Sequence, residues 1–184
     1  VKVSGDSAAK QVLRGWKVYG REIKAIDGAT VKMADTKANQ GEYPQHTSQG
    51  EGVGFPIARL LVITSLTTGT IMDYAIDAYE GKGTGEHALL RRVWGCIEKD
   101  DIILGDRYFP SFFVMANLQS VDADGLFRGH SHRHYDFRKG EKLGKNDHIV
   151  AWKKPQKPEW MSRAAYKAFT ASILIREFKV SGTI

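Results

Sequence analysis

Along this chain, stretches that alternate apolar and polar residues every second position give way to stretches that do so at helical spacing, and then to a polar tail. Glu22 to Lys32, EIKAIDGATVK, reads as a short strand, a break at Asp27-Gly28, and a further extended piece. From there to about Pro56 the residues are mostly Gly, Gln, Ser, Thr and Asn without apolar periodicity, which predicts a long loop. Arg59 to Leu66, RLLVITSL, is a near-continuous apolar run suited to a central strand, and Thr67 to Thr70 supplies a turn. In Ile71 to Ala78, Met72, Tyr74 and Ile76 alternate with Asp73, Ala75 and Asp77, the period of a strand with one wet face. After a glycine-rich turn at Gly81 to Gly85, EHALLRRVWGCIEK places Leu90, Val93, Trp94 and Ile97 at helical spacing, with Thr84 as the expected N-cap and Glu86 suiting the helix dipole. Asp101 to Leu104 reads as a fourth strand, SFFVMANLQ after Pro110 as a second helix, and GLFRG (125–129) as a fifth strand. Beyond it the chain is polar, basic and punctuated by glycine, with strand-like pieces at HYDFRK, HIVAWKK and SILIREFKV.

Three strands, helix, strand, helix, strand is an order that resembles a ribonuclease H-like domain. The fold class implied is α/β: a mixed sheet of three antiparallel strands plus parallel strands, flanked by helices, the parallel strands being reached through helical crossovers. In such a sheet the fourth strand pairs beside the first, so Asp27 and Asp106 become neighbours.

Composition narrows the setting. With 184 residues and a 42% apolar fraction the chain fits one well-packed domain carrying a smaller insert. No apolar run approaches the roughly 18 residues of a membrane span, and the N-terminus lacks a signal pattern, so the expected setting is cytoplasmic, without membrane contact. Cys96 is alone, which excludes a disulfide framework or a cysteine metal site and reads as core filler. The chain opens on Val1, which fits a piece processed from something longer.

Charge is localised. Between Arg128 and Lys157 stand nine Lys/Arg residues against three acids, a surplus that accounts for the whole net charge of +6. Four of the six histidines, His130, His132, His134 and His148, share that window. Such a segment is either a solvated face or the footprint of a polyanion binder.

The candidate chemistry is carboxylate. Asp27 in AIDG and Asp106 in LGDR both follow short apolar strands, where metal-ligating acids can be held without side-chain freedom; either could equally be a turn residue. Over most of its length the chain resembles the catalytic region of bacterial DDE transposases of the insertion-sequence-four type. The segments that carry the resemblance, in order, are AIDGATVKMADTKANQGEYPQ, GFPIARLLVITSLTTGTIMDYAI, YEGKGTGEHALLRRV, DIILGDRYFPSFF and FRGHSHRHYDFRKGEKLGKNDHIVAWKKP. The resemblance implies that Asp27 and Asp106 are catalytic residues and ligands of Mg2+ or Mn2+. It implies hydrolytic nicking followed by strand transfer on double-stranded DNA, at transposon ends and target, by a homo-oligomer in a synaptic complex near the bacterial nucleoid.

The family's third ligand, a glutamate in a spaced Tyr, Arg, Glu, Lys pattern, has no match; Glu177 in LIREFKV sits in a strand-like segment. The chain is therefore expected to be a fragment that binds metal weakly and is inactive alone. It is expected to divide into an incomplete catalytic core (1–130) and a basic β-rich insertion region (131–184). Arg107, Arg128, Arg133, Arg138, Lys139, Lys142, Lys145, Lys153 and Lys154 are the expected DNA contacts. Trp152 either stacks on an unpaired base or packs in the core. The alternating histidines His130, His132 and His134 leave zinc or phosphate contact open. Asp73 and Asp77 read as wet, and Asp35 as a hydrogen-bonding neighbour of the site. GKGTG before the helix lacks the Walker spacing and reads as a connection. Two rivals stand beside the transposase: a ribonuclease H-like nuclease that joins nothing, and a non-catalytic DNA-binding relic.

Overall fold

Among the described residues five strands make the larger sheet of the computed structural model, which describes residues 2–10 and 17–180. They are β1 (Ile23–Lys32), β2 (Ile57–Ser65), β3 (Thr70–Ala78), β4 (Ile102–Gly105) and β5 (Asp124–Phe127), in the order β3-β2-β1-β4-β5. The first three pair antiparallel, while β1 with β4 and β4 with β5 run parallel. Antiparallel neighbours need only turns, and parallel neighbours need a crossover. Helices α3 (Glu86–Arg92) and α4 (Phe112–Ser120) lie on those connections. The protein is thus a mixed parallel and antiparallel sheet flanked by helices.

Alternation along the strands decides which face is covered. Ile26, Leu61, Ile63 and Ile103 are buried, and they pack with Leu89 and Leu90 of α3 and with Val114 and Leu118 of α4. Ala25, Asp27, Leu104 and Leu126 alternate with these and point to the opposite face, where Leu126 is 50% exposed. Lys24, although charged, falls on the covered face; its ammonium meets the Asp101 carboxylate at 2.7 Å and the Cys96 carbonyl at 2.7 Å. That buried pair ties the start of β1 to the residue before β4.

Several local expectations are corrected. The strand does not break at Asp27-Gly28: β1 runs through both to Lys32, because β2 pairs with it along its whole length. The loop before Pro56 contains a short helix, α2 (Lys37–Glu42), capped by the Thr36 hydroxyl. Alternation in β3 fails. A register shift opposite Ile63/Thr64 puts Met72 and Ala75 in the core and leaves Tyr74 exposed. The helix of EHALLRR ends at Arg92; a tight turn at Trp94–Cys96 follows, and Cys96 is buried in the core. Gly85, not Thr84, is the N-cap, and the Thr84 hydroxyl donates to the Gly81 carbonyl.

A smaller sheet follows, β6 (Glu141–Gly144), β7 (Asp147–Lys153) and β8 (Ser172–Phe178), antiparallel in that order. HYDFRK lies in turns ahead of β6 rather than in a strand, and a short helix, α5 (Arg163–Ala168), precedes β8. Ile173 and Ile175 of β8 pack on Phe112 and Ala116 of α4, which docks the smaller sheet against the larger one. Helix α1 (Lys2–Ala9) lies along β3, where Gly5 comes against the backbone of Ile71 and Met72. Among the described residues no helix is long and apolar enough to cross a membrane.

Candidate active site

The parallel pairing of β1 with β4 sets the position of the two acids. Ile23, Lys24 and Ala25 stand opposite Ile102, Ile103 and Leu104. The pairing ends there, two residues short of both acids: Asp27 lies further along β1, and Asp106 stands just past the end of β4, in the interior of the sheet. Both are exposed, and neither takes part in an ion pair among the described residues. Among the described residues the Asp27 carboxylate accepts only the Gly28 amide, at 2.9 Å.

Asp106 ends β4 in a turn of its own making, its carboxylate accepting the Tyr108 amide at 2.8 Å. Phe109 drops into the core, 1% exposed, so Asp106, Arg107 and Tyr108 are displayed at the tip. His87 on α3 fixes that tip from behind: its Nε2–H donates to the Tyr108 carbonyl at 3.0 Å. Burial holds His87 below the ordinary histidine range, the bond to Tyr108 opposing it. That contact needs a hydrogen on Nε2.

A hollow of about 470 Å³ opens beside Asp106, lined by Arg59, Glu86, Arg107, Tyr108 and His130. Asp27 does not line it. Glu86 is the residue sequence reasoning passed over, having been read only as favourable to the helix dipole. Its carboxyl carbon lies 2.5 Å from where a Cβ on Gly28 would stand. Gly28 is thus the position that lets α3 bring an acid against β1, on the face opposite the Asp27 side chain. The signal was the Asp-Gly pair itself, read as a turn when it marks close approach.

Among the described residues no three His, Cys, Asp or Glu side chains converge as a metal-holding group. His130, His132 and His134 form no such group; the rings of the first two meet edge to face at 5.0 Å. What is present is two exposed carboxylates, Asp27 on β1 and Asp106 just past the end of the neighbouring β4. That donor set suits magnesium or manganese, which take one or two carboxylates and fill the remaining positions with water and phosphate oxygens. Glu177 lies elsewhere, in β8. Asp35 accepts from Gln40, and Asp77 is held by Arg92 rather than left to water.

The expected DNA contacts divide. Arg107, Arg128, Lys142, Lys145 and Lys153 are exposed. Arg138 is bound twice to Asp136, at 2.8 and 3.2 Å, and its hydrogen bonds hold the Asp136 carboxyl at about 2. Lys139 lies 3.8 Å from the same acid. Lys154 is half-buried and donates to the Tyr166 and Phe169 carbonyls, closing the end of α5. Trp152 is half-buried; its indole N–H donates to Glu177 at 2.7 Å, and the Arg133 guanidinium lies 3.4 Å over its ring. The ring face that a base would need is therefore occupied by Arg133.

A second hollow, about 680 Å³, continues from Arg107, Tyr108 and His130 to Arg133, Trp152 and Lys153. Its lining residues include no carboxylate. No protein-family model matches the chain, and no curated protein matches it significantly.

Proposed function

We propose that this chain is part of the catalytic region of a bacterial DDE transposase, built on a ribonuclease H-like core, and that it takes part in cleaving and joining DNA. The observation that carries the reading is the parallel pairing of β1 with β4, which puts Asp27 and Asp106 each two residues beyond the last paired positions, Ala25 and Leu104, both exposed and free of ion pairs among the described residues. The strand order β3-β2-β1-β4-β5, antiparallel and then parallel, supports the core assignment. The reading carries with it a cytoplasmic setting, a basic insertion region over 131–184 and a homo-oligomeric synaptic complex.

In this scheme Asp27 and Asp106 hold Mg2+ or Mn2+. When bound, the ion lowers the pKa of water and neutralises charge developing on phosphate oxygens. The residues themselves do the positioning. The Asx turn at Asp106 and the His87 contact with the Tyr108 carbonyl hold the acidic tip rigid, so the carboxylate does not have to be ordered at the moment of reaction. Arg107 and His130 border the same hollow and offer donors to a phosphate lying across it. Exposed Arg128, Lys142, Lys145 and Lys153 supply backbone contacts to double-stranded DNA, giving affinity that falls steeply with salt. Water attacks phosphorus and the bond to a 3′-oxygen breaks, leaving a 3′-hydroxyl and a 5′-phosphate; that hydroxyl then attacks a phosphate of target DNA and releases another 3′-hydroxyl.

The test is cleavage and strand transfer by the natural gene product that contains this chain, with Asp27→Asn and Asp106→Asn as controls. Cleaved and joined products lost in both variants support the proposal; cleavage without joining supports a nuclease. One observation favours a second reading: with no third acid converging among the described residues, a non-catalytic DNA-binding relic fits the site as well. That reading requires both substitutions to be silent.

A further inference from the structure

Arg133 is held where it is by a half-buried tryptophan and by two buried side chains behind it. It belongs to an irregular segment, 128–140, without strand or helix of its own. Its guanidinium lies 3.4 Å over the Trp152 ring and 4.0 Å from the Glu177 carboxylate. Glu177 divides its two oxygens: Oε1 accepts the Trp152 indole N–H at 2.7 Å, and Oε2 faces His148 Nε2 at 3.0 Å. The other nitrogen of His148, Nδ1, faces the Lys139 carbonyl at 2.6 Å. Lys139 belongs to the same irregular segment as Arg133, so the chain of contacts closes on itself.

His148 is 1% exposed, and both of its nitrogens meet acceptors. A neutral imidazole has one N–H and would leave one of those acceptors facing a lone pair. A doubly protonated ring satisfies both acceptors, and Glu177 then lies between two positive groups, His148 inside and Arg133 nearer the surface. Of the three charges, Arg133 is the one that opens onto the hollow leading from Arg107 and Tyr108.

We propose that Glu177 and His148 are positioning residues for DNA: they fix Trp152, and through it Arg133, as a phosphate contact on the groove that runs toward Asp106. The inference rests on the DNA-processing reading above and adds residues that reading does not contain. Its consequence is a pH dependence. The groups facing His148 are Glu177 on β8, the Lys139 carbonyl, and Asp136 and Phe137 of the preceding segment. Burial pushes the imidazole down, and the bonds to Glu177 and Lys139 with the nearby negative charges outweigh it, so the native ring titrates above the ordinary histidine value. Once the ring loses its second proton, either Lys139 or Glu177 is released and Arg133 loses its fixed seat.

The experiment measures binding of the whole chain to a fluorescein-labelled duplex by anisotropy, from pH 6 to 9 at constant ionic strength, alongside the Trp152 indole N–H signal in NMR without DNA. The wild type should bind progressively more weakly as pH rises, by roughly threefold or more, the scale of one lost phosphate contact. His148→Gln should flatten that part of the profile; His130, His132 and His134 are present in both proteins and cancel in the difference. Arg133→Gln should weaken binding and lower the salt slope by about one, and Glu177→Gln should add nothing on that background. Arg133 is only partly exposed, so thermal melts of Arg133→Gln check that the variant keeps its fold while binding is read. DNA binding with equal pH profiles for wild type and His148→Gln, or additive losses from Arg133→Gln and Glu177→Gln, overturns the proposal alone. No DNA binding by the wild type at low salt, with the indole signal still shifting with pH, overturns the DNA reading and this proposal with it.

Discussion

Replacing Lys24 with Met removes one partner of an ion pair buried on both sides, with Lys24 2% and Asp101 4% exposed. The ammonium makes two contacts of 2.7 Å, to Asp101 and to the Cys96 carbonyl. Methionine fills nearly the same volume, so little cavity forms. What remains is a buried carboxylate whose other contact is the Glu98 amide at 2.7 Å. Stranding one charge of such a pair costs about 3–5 kcal/mol, roughly a fifth or more of the total stability of an ordinary domain. With a urea slope of about 2 kcal/mol per molar, the unfolding midpoint should fall by roughly 2 M. Adding Asp101→Asn on the Lys24→Met background should recover much of the loss, because an amide still accepts from Glu98 and carries no charge to desolvate. A coupling of about 2 kcal/mol or more is therefore expected in the double-mutant cycle. A single-variant loss below about 1 kcal/mol, or a double variant no better than the single, would refute the reasoning.

Three further outcomes follow from the same structure. The His148 imidazole has a raised native value, so its contribution to stability is complete below about pH 6.5, the ordinary histidine value, and is lost as pH climbs through the native one; unfolding free energies at pH 6 to 9 should fall more steeply for wild type than for His148→Gln, and the opposite slope in that difference contradicts it. Gly140→Ala should cost about 2 kcal/mol or more, because Gly140 has φ of +77° and an added Cβ would run into the Ile149 carbonyl. Gly20→Ala, at φ of +79° with nothing within 4 Å, should cost only the torsional part, about 1 kcal/mol, and thermal melts of the two variants separate the effects. His87→Gln, which keeps a donor for the Tyr108 carbonyl, should leave the fold intact, whereas His87→Leu should loosen the 106–109 tip, read as faster amide exchange at Tyr108.

What the sequence displayed was set by burial on one or both faces. β2 and β4 are continuous apolar runs because both sit inside the sheet, and they stand close to where the pattern predicts them. β3 is an edge strand with a register shift, so its alternation was real in the text and misleading in space. The short helices α2 and α5 bury no residue outright and leave no apolar period to detect. Lys24 and Asp101 read as ordinary surface charges, since nothing local distinguishes a charge that finds a partner 77 residues away. That Asp27 and Asp106 follow apolar strand residues was legible, and both are exposed, whereas Glu86 was hidden because its proximity to β1 depends on the packing of α3 over Gly28.

The account depends on Asp27 and Asp106 sharing one cation, and a manganese titration of the whole chain, followed by the free-ion electron paramagnetic resonance signal, tests it most directly. Wild type should take up one Mn2+ weakly. Asp27→Asn and Asp106→Asn should each weaken uptake by on the order of tenfold or more, with the double variant no worse than either single one. Uptake unchanged in either single variant, or losses that add independently, would contradict a shared site.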